Sequence, residues 1–205
     1  DRHPDTLTSI GNLGGLLYAK GDLDGAEPLC CEALEGRRET LGDRHPKTLT
    51  SINNLGSLLK AKGDLDGAEA LHREALEGRR ETLGDRHPST LTSISNLGSL
   101  LKAKGDLDGA EALYREALEG FRETLGDRHP STLRTLGSVY SLGSLLQTQG
   151  RLGDAIPLFR EELEGRDARY GKGHDENLDQ QPRRAELGRQ PCRAAKEGGA
   201  TAPGR

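Results

Sequence analysis

The chain has 205 residues, with 29 Lys/Arg against 33 Asp/Glu for a net charge of −4, and only 32% apolar and 3% aromatic content. An acidic balance argues against general nucleic-acid binding, which needs a basic footprint; no apolar run approaches the roughly 18 residues of a membrane span, and no secretory signal is visible. So little apolar material is thin for one central core and suits an array two helices thick, held by a strip of Leu and Ala.

In chain order, Asp1, Asp43, Asp85 and Asp127 each open a copy of one unit, DRHPxTLTSIxNLGSLLKAKGDLDGAEALxREALEGxRETLG. The copies at 43–84 and 85–126 match at 38 of 42 positions. A period of this size predicts a solenoid, in which each unit buries its apolar face against its neighbours. The predicted divisions are 1–42, 43–84, 85–126, and 127–171 with a three-residue insertion. Residues 172–205 hold the start of a degenerate fifth copy, His174 to Leu178, and then a Pro/Gly/Arg-rich stretch that reads as a disordered tail, with a degenerate capping helix around Arg183–Leu187 as the competing reading. Asp1 falls in a repeat loop, so the sequence reads as part of something longer.

Within one unit, Leu49, Ile52, Leu55, Leu58 and Leu59 recur at three- and four-residue intervals and mark one face of a helix. His45-Pro46 starts it, since proline suits the first turn. Lys60 and Lys62 fall in its last turn, favourable for the helix dipole, and Gly63 ends it. Asp64 is placed to cap a second helix, whose inner stripe is Leu65, Ala68, Leu71, Ala75 and Leu76. Each unit is therefore an antiparallel helix pair, and the fold class is all-α, a solenoid of such pairs. Gly56, Ala68 and Ala75 stand where the two helices must approach closely.

The Leu-Gly pair in the first helix, the Gly at the turn and Ala spaced by seven in the second resemble the tetratricopeptide repeat (TPR). The 42-residue period, the His-Pro-x-Thr-Leu start and the Asn-Leu-Gly-x-Leu-Leu core resemble the kinesin light chain variant of it. The resemblance covers about 1–178 and implies a superhelix with a concave groove for extended, often acidic, peptide segments. It does not by itself imply a motor or transport role. Two features depart from the pattern. Gly36, Gly78, Gly120 and Gly165 replace a bulky apolar residue, at about 1 kcal/mol each against Ala, which predicts a soft array. The insertion in the fourth copy predicts a first helix lengthened by nearly one turn, and Glu162 in place of Ala predicts looser packing there.

The polar stripe beside the core of the first helix is where the resemblance places the groove: Thr50, Asn53, Asn54, Ser57 and Lys60. Asparagine has both donors and acceptors for a peptide backbone, and Asn12, Asn54 and Asn96 supply one per repeat until Ser141 breaks the series. Helix-packing hydrogen bonds are the competing role. Lys60 and Lys102 fit a basic role, with Tyr18 and Gln147 in their places at the ends; dipole partnership is the alternative. One position differs in every repeat, Gly11, Asn53, Ser95 and Tyr140, as groove tuning would produce, or drift at an exposed site. The candidate peptide-binding residues are Asn12, Tyr18, Asn53, Asn54, Ser57, Lys60, Ser95, Asn96, Ser99, Lys102 and Tyr140.

Catalytic and metal signatures are missing. His3, His45, His87 and His129 lie one repeat apart, farther than the 8–10 Å between packed helices, whereas zinc needs ligand atoms about 2 Å away; they read as helix-start residues. Gly171-Lys172-Gly173 lacks the spacing of a phosphate loop. No catalytic residue, metal or cofactor is expected. Cys30 falls in an inward slot shared with His72, Tyr114 and Phe159, and Cys31 in an outward slot shared with arginines. Such adjacent free thiols suit a reducing compartment, hence a cytoplasmic placement. The leading expectation is a non-catalytic adaptor for protein or peptide ligands, acidic extended segments among them, with no nucleic acid and no membrane. The alternatives are a regulatory or sensor segment of a larger enzyme, such as an ATPase or kinase, and a structural module that stacks end to end.

Overall fold

The computed structural model describes residues 3–125 and 133–170, all of them in helices or the short turns between them. The helices are α1 (Pro4–Lys20), α2 (Leu23–Leu41), α3 (Pro46–Lys62), α4 (Leu65–Leu83), α5 (Pro88–Lys104), α6 (Leu107–Leu125), α7 (Leu133–Thr148) and α8 (Leu152–Tyr170). Each helix packs on the next, and the odd helices also touch in order, α1 to α3 to α5 to α7. The odd helices therefore line the inner wall of the stack.

The helix boundaries follow from local chemistry. His3, His45 and His87 are the N-caps of α1, α3 and α5. In α3 the His45 Nδ1 accepts the Lys47 backbone N–H at 3.2 Å, and Pro46 takes the first helical position. An imidazole here replaces the usual hydroxyl or carboxylate cap. Gly63 stops α3 at φ 90°, a left-handed conformation that costs glycine little. One residue on, the Asp64 carboxylate accepts the Gly67 N–H at 3.0 Å and opens α4.

The core is a series of interfaces rather than one centre. One cluster joins Ala26 and Leu34 to Leu49, Ile52, Leu55 and Leu58; the next joins Ala68 and Leu76 to Leu91, Ile94, Leu97 and Leu100; the third joins Ala110 and Leu118 to Val139, Leu142 and Leu145. Each cluster spans two repeats, so each repeat is buried by its neighbour.

Two expectations need correction or refinement. The interior glycines are sites of close approach: a methyl group at Gly78 would stand 2.5 Å from Cδ2 of the fully buried Leu49, and Gly36 and Gly120 face Leu7 and Leu91 in the same way. The helix-propensity cost at these positions is thus offset by a buried leucine. α7 is described from Leu133 to Thr148, and the segment before it, 126–132 with His129, where the expected lengthening of this helix falls, lies outside the described residues. Cys31 is not outward but half-buried against the first core cluster, beside Cys30. The fifth-copy start and the tail also lie outside the described residues. Among the described residues, no helix is long and apolar enough to cross a membrane.

Candidate peptide groove

The inner wall carries a cleft of about 230 Å³ lined by Tyr18, Ser57, Lys60, Ala61, His72, Asn96 and Ser99. Three successive first helices, α1, α3 and α5, contribute to it, and His72 reaches it from α4. Of the residues singled out from sequence, Tyr18, Ser57, Lys60, Asn96 and Ser99 come together here.

A ladder of lysine and serine runs along this wall. Lys60 donates to the Ser99 hydroxyl one repeat on, and Lys102 donates to Ser144 at 3.0 Å. Tyr18 occupies the lysine slot of the first repeat and shares the cleft with Ser57, so the same register places a phenol there instead of an ammonium. Burial first, then the Lys102 charge, holds the Lys60 pKa below the ordinary lysine value. No carboxylate pairs with either lysine among the described residues.

At the seams between repeats, several cations are matched by carboxylates. Lys62 bridges Asp24 and Glu27, Lys104 bridges Asp66 and Glu69, and Arg38, Arg80 and Arg122 pair with Glu74, Glu116 and Glu161. Carboxylates thus neutralise the seams between repeats, while the groove lysines meet only hydroxyls. The chain is acidic overall, yet this wall carries unmatched positive charge.

The asparagines divide. Asn12 and Asn54 are exposed, and among the described residues neither amide has a hydrogen-bond partner. Asn96 instead donates through Nδ2 to Asn53 Oδ1 at 3.0 Å, which ties the second repeat to the third. Asn53 is only 8% exposed. The expectation that it stands open to ligand is corrected: its amide oxygen is taken up by Asn96 and by His72 Nδ1 at 3.2 Å. With the Asn53 amide in this orientation its oxygen only accepts, so the contact requires the His72 proton on Nδ1. Ser95, one repeat on, is half-buried with its hydroxyl unpartnered. Tyr140 is exposed and meets the Phe159 ring edge-on, with centroids 6.0 Å apart.

His72 was not among the predicted groove residues, because its slot reads as inward and volume-filling. It is buried, yet it forms part of the cleft floor. Burial, then the charges of Lys60 and Arg79, lowers its pKa to about 4. A signal for it does exist in the sequence. The slot of Asn53 and the slot of His72 vary together, as Gly11 with Cys30, Ser95 with Tyr114, and Tyr140 with Phe159.

Among the described residues, no three His, Cys, Asp or Glu side chains gather as a metal site. Cys30 and Cys31 are unbonded, and burial is the first cause that raises both thiol pKa values.

The family model for the tetratricopeptide repeat matches residues 5–81, 49–123 and 89–168. Among solved structures, BtubC (BKLC) from P. vanneervenii aligns with a TM-score of 0.70 at 23% identity, over 98% of this chain and 73% of that one. A variant of a Podosopora anserina kinesin light chain with nearly identical TPR-like repeats aligns with a TM-score of 0.68 at 26% identity, over 81% of this chain and 76% of that one. A second structure of that Podosopora anserina protein gives a TM-score of 0.59 at 20% identity, over 81% of this chain and 97% of that one. No curated protein matches the chain.

Proposed function

This chain belongs to the tetratricopeptide-repeat family, with repeats of the kinesin light chain type, and from that premise we propose that it is a non-catalytic adaptor that holds extended acidic peptide segments in its concave groove. The observation that carries the reading is the pair of groove lysines, Lys60 and Lys102, which meet serine hydroxyls and no carboxylate, while Lys62 and Lys104 at the seams are ion-paired. A peptide carboxylate would displace a neutral partner and gain a charge-assisted hydrogen bond at a half-buried site. The free amides of Asn12 and Asn54 supply donors and acceptors for a peptide main chain, and the 230 Å³ cleft beside Tyr18 has room for a side chain. A cytoplasmic location belongs to the same proposal and rests on the adjacent unbonded thiols of Cys30 and Cys31.

The test is a selection from a random peptide display library on the intact array, run beside a Lys60→Glu/Lys102→Glu variant of equal helicity. Enrichment of acidic segments by the native chain, lost in the variant and weakened by salt, is expected. Equal enrichment by both proteins, or a selection without acidic preference, would sink the reading.

A further inference from the structure

We propose that Lys60 is a site of covalent acylation, with small acyl phosphates as the acyl donors, set apart from the other lysines by the cleft of α1, α3 and α5 in which its amine lies. The side chain leaves the last turn of α3 half-buried, and its amine donates to the Ser99 hydroxyl across the repeat boundary. The 230 Å³ cleft beside it is lined by Tyr18 of α1 and by Asn96 and Ser99 of α5, which leaves room for a small carbonyl compound next to the nitrogen. A hydroxyl can accept an N–H from a neutral amine as well as from an ammonium, so Ser99 can keep one N–H while the nitrogen lone pair serves the cleft.

The same helix carries the opposite case two residues on. Lys62 bridges Asp24 and Glu27 at 2.6 Å each, and Lys104 bridges Asp66 and Glu69 at 2.6 Å each. Hydrogen bonds to Asp24 and then Glu27 raise the Lys62 pKa, and those to Asp66 and then Glu69 raise that of Lys104. Both amines are thereby held as ammoniums, and an ammonium has no lone pair with which to attack a carbonyl. Around Lys60 the charges run the other way. The ionisable groups that face it are Lys102 on α5, His72 on α4 and Tyr18 on α1, and no carboxylate pairs with it among the described residues. Burial first, and the Lys102 charge second, favour its neutral form. Lys20 and Lys47 stand exposed in water, without such desolvation.

The step is an acyl transfer. The neutral Lys60 nitrogen adds to the acyl carbon, a C–N bond forms, and the C–O bond to phosphate breaks. The phosphate leaves with the electron pair and takes the proton that the nitrogen sheds. An amide and hydrogen phosphate result, with no change of oxidation state. An acyl phosphate is the donor class that this wall favours, because its leaving group is an anion. Lys102, one repeat on and bonded to the Ser144 hydroxyl, attracts that anion to the wall where Lys60 lies. Acylation turns the ammonium into an uncharged amide. The consequence for acidic-peptide capture rests on the proposed groove function; the reactivity of Lys60 does not.

The test treats the full chain with acetyl phosphate in mildly alkaline buffer, with no peptide present. Acetylation at each lysine is followed over time by mass spectrometry of chymotryptic fragments. Lys60 should acetylate about threefold or more faster than the exposed Lys20 and Lys47, with Lys62 and Lys104 slowest. In denaturing guanidinium chloride all of these lysines should react at similar rates. Ser99→Asp gives Lys60 the carboxylate partner that Lys62 has, and in a chain of equal helicity should slow its acetylation by about tenfold. Acetylation of Lys60 no faster than that of Lys20 and Lys47, or a lead that persists in denaturant, would overturn the inference. Undiminished acetylation of Lys60 in a folded Ser99→Asp chain would overturn it as well. Because the rates are read without peptide, a failure of acidic-peptide capture leaves a Lys60 lead standing, and the absence of that lead leaves the groove function standing.

Discussion

Asn53 and His72 stand 3.2 Å apart beneath the groove, joined through the Asn53 amide oxygen and the His72 Nδ1. They are two of the four positions at which the second and third repeats differ; the others are Lys47 and Arg79, which become Ser89 and Phe121. Arg79 belongs to the same neighbourhood, since its charge acts on His72. Its guanidinium also donates to the Ser93 hydroxyl at 2.7 Å and to the Ser89 carbonyl at 3.1 Å in the next repeat. Three of the four differences, all but the exposed Lys47, therefore fall in one patch under the groove floor, where side chains must fit each other.

That fit predicts coupling. His72→Tyr places a larger ring against Asn53 and removes a hydrogen bond, and should cost about 1–3 kcal/mol as overpacking. Adding Asn53→Ser recreates the Ser95–Tyr114 pair and should recover most of the loss. Urea melts of the two single variants and the double would measure this; additive losses would contradict the coupling.

The His72 imidazole also makes stability depend on pH with a defined sign. Its folded pKa of about 4 lies below the ordinary value of 6.5. Between those values the unfolded chain binds more protons, so stability rises with pH. The contribution is fully present above about pH 6.5 and is lost as pH falls towards 4. Because the ring lines a solvent-reaching cleft, about 1–2 kcal/mol is expected rather than the full shift. The Asn53→Ser/His72→Tyr double variant should show a flatter profile than the native chain across that window, in melts at stepped pH.

The glycines predict opposite signs for one substitution. Gly137→Ala adds a methyl group to an exposed helical position with nothing within 4 Å, and should stabilise by about 0.5–1 kcal/mol. Gly78→Ala gains the same propensity but forces Leu49, fully buried, out of its place. A net loss of about 1 kcal/mol is expected there. Thermal melts of the two variants should move in opposite directions.

In the groove, Lys102→Ala should raise the Lys60 pKa, since the Lys102 charge is the second cause that lowers it after burial. Carbon NMR of the Lys60 side chain would follow this titration. An unchanged value would mean that the two ammonium groups do not share one field.

The architecture was legible because it is periodic. Leu49, Ile52, Leu55 and Leu58 announce a helix face by spacing alone, and they are the residues that the first cluster buries. Asp64 and Gly63 act as the cap and stop their residue types suggest. The groove was legible only in part, because a stripe read from one helix omits what crosses from others. His72 enters the cleft from α4, and Asn96 is drawn away from solvent by a partner one repeat back. Those are contacts between helices, and single-helix periodicity carries no information on them. Gly78 was misread for a similar reason: the leucine that fills its space, Leu49, lies on the other helix of the pair.

Each groove lysine belongs to one repeat and its hydroxyl partner to the next, so Lys60–Ser99 and Lys102–Ser144 act as straps across successive units. A carboxylate that draws a lysine away from its serine releases a strap as it binds. On the proposed function, occupancy and bending stiffness of the superhelix would be linked quantities: a loaded array would be held along its inner wall by its guest, and an empty one by its own side chains.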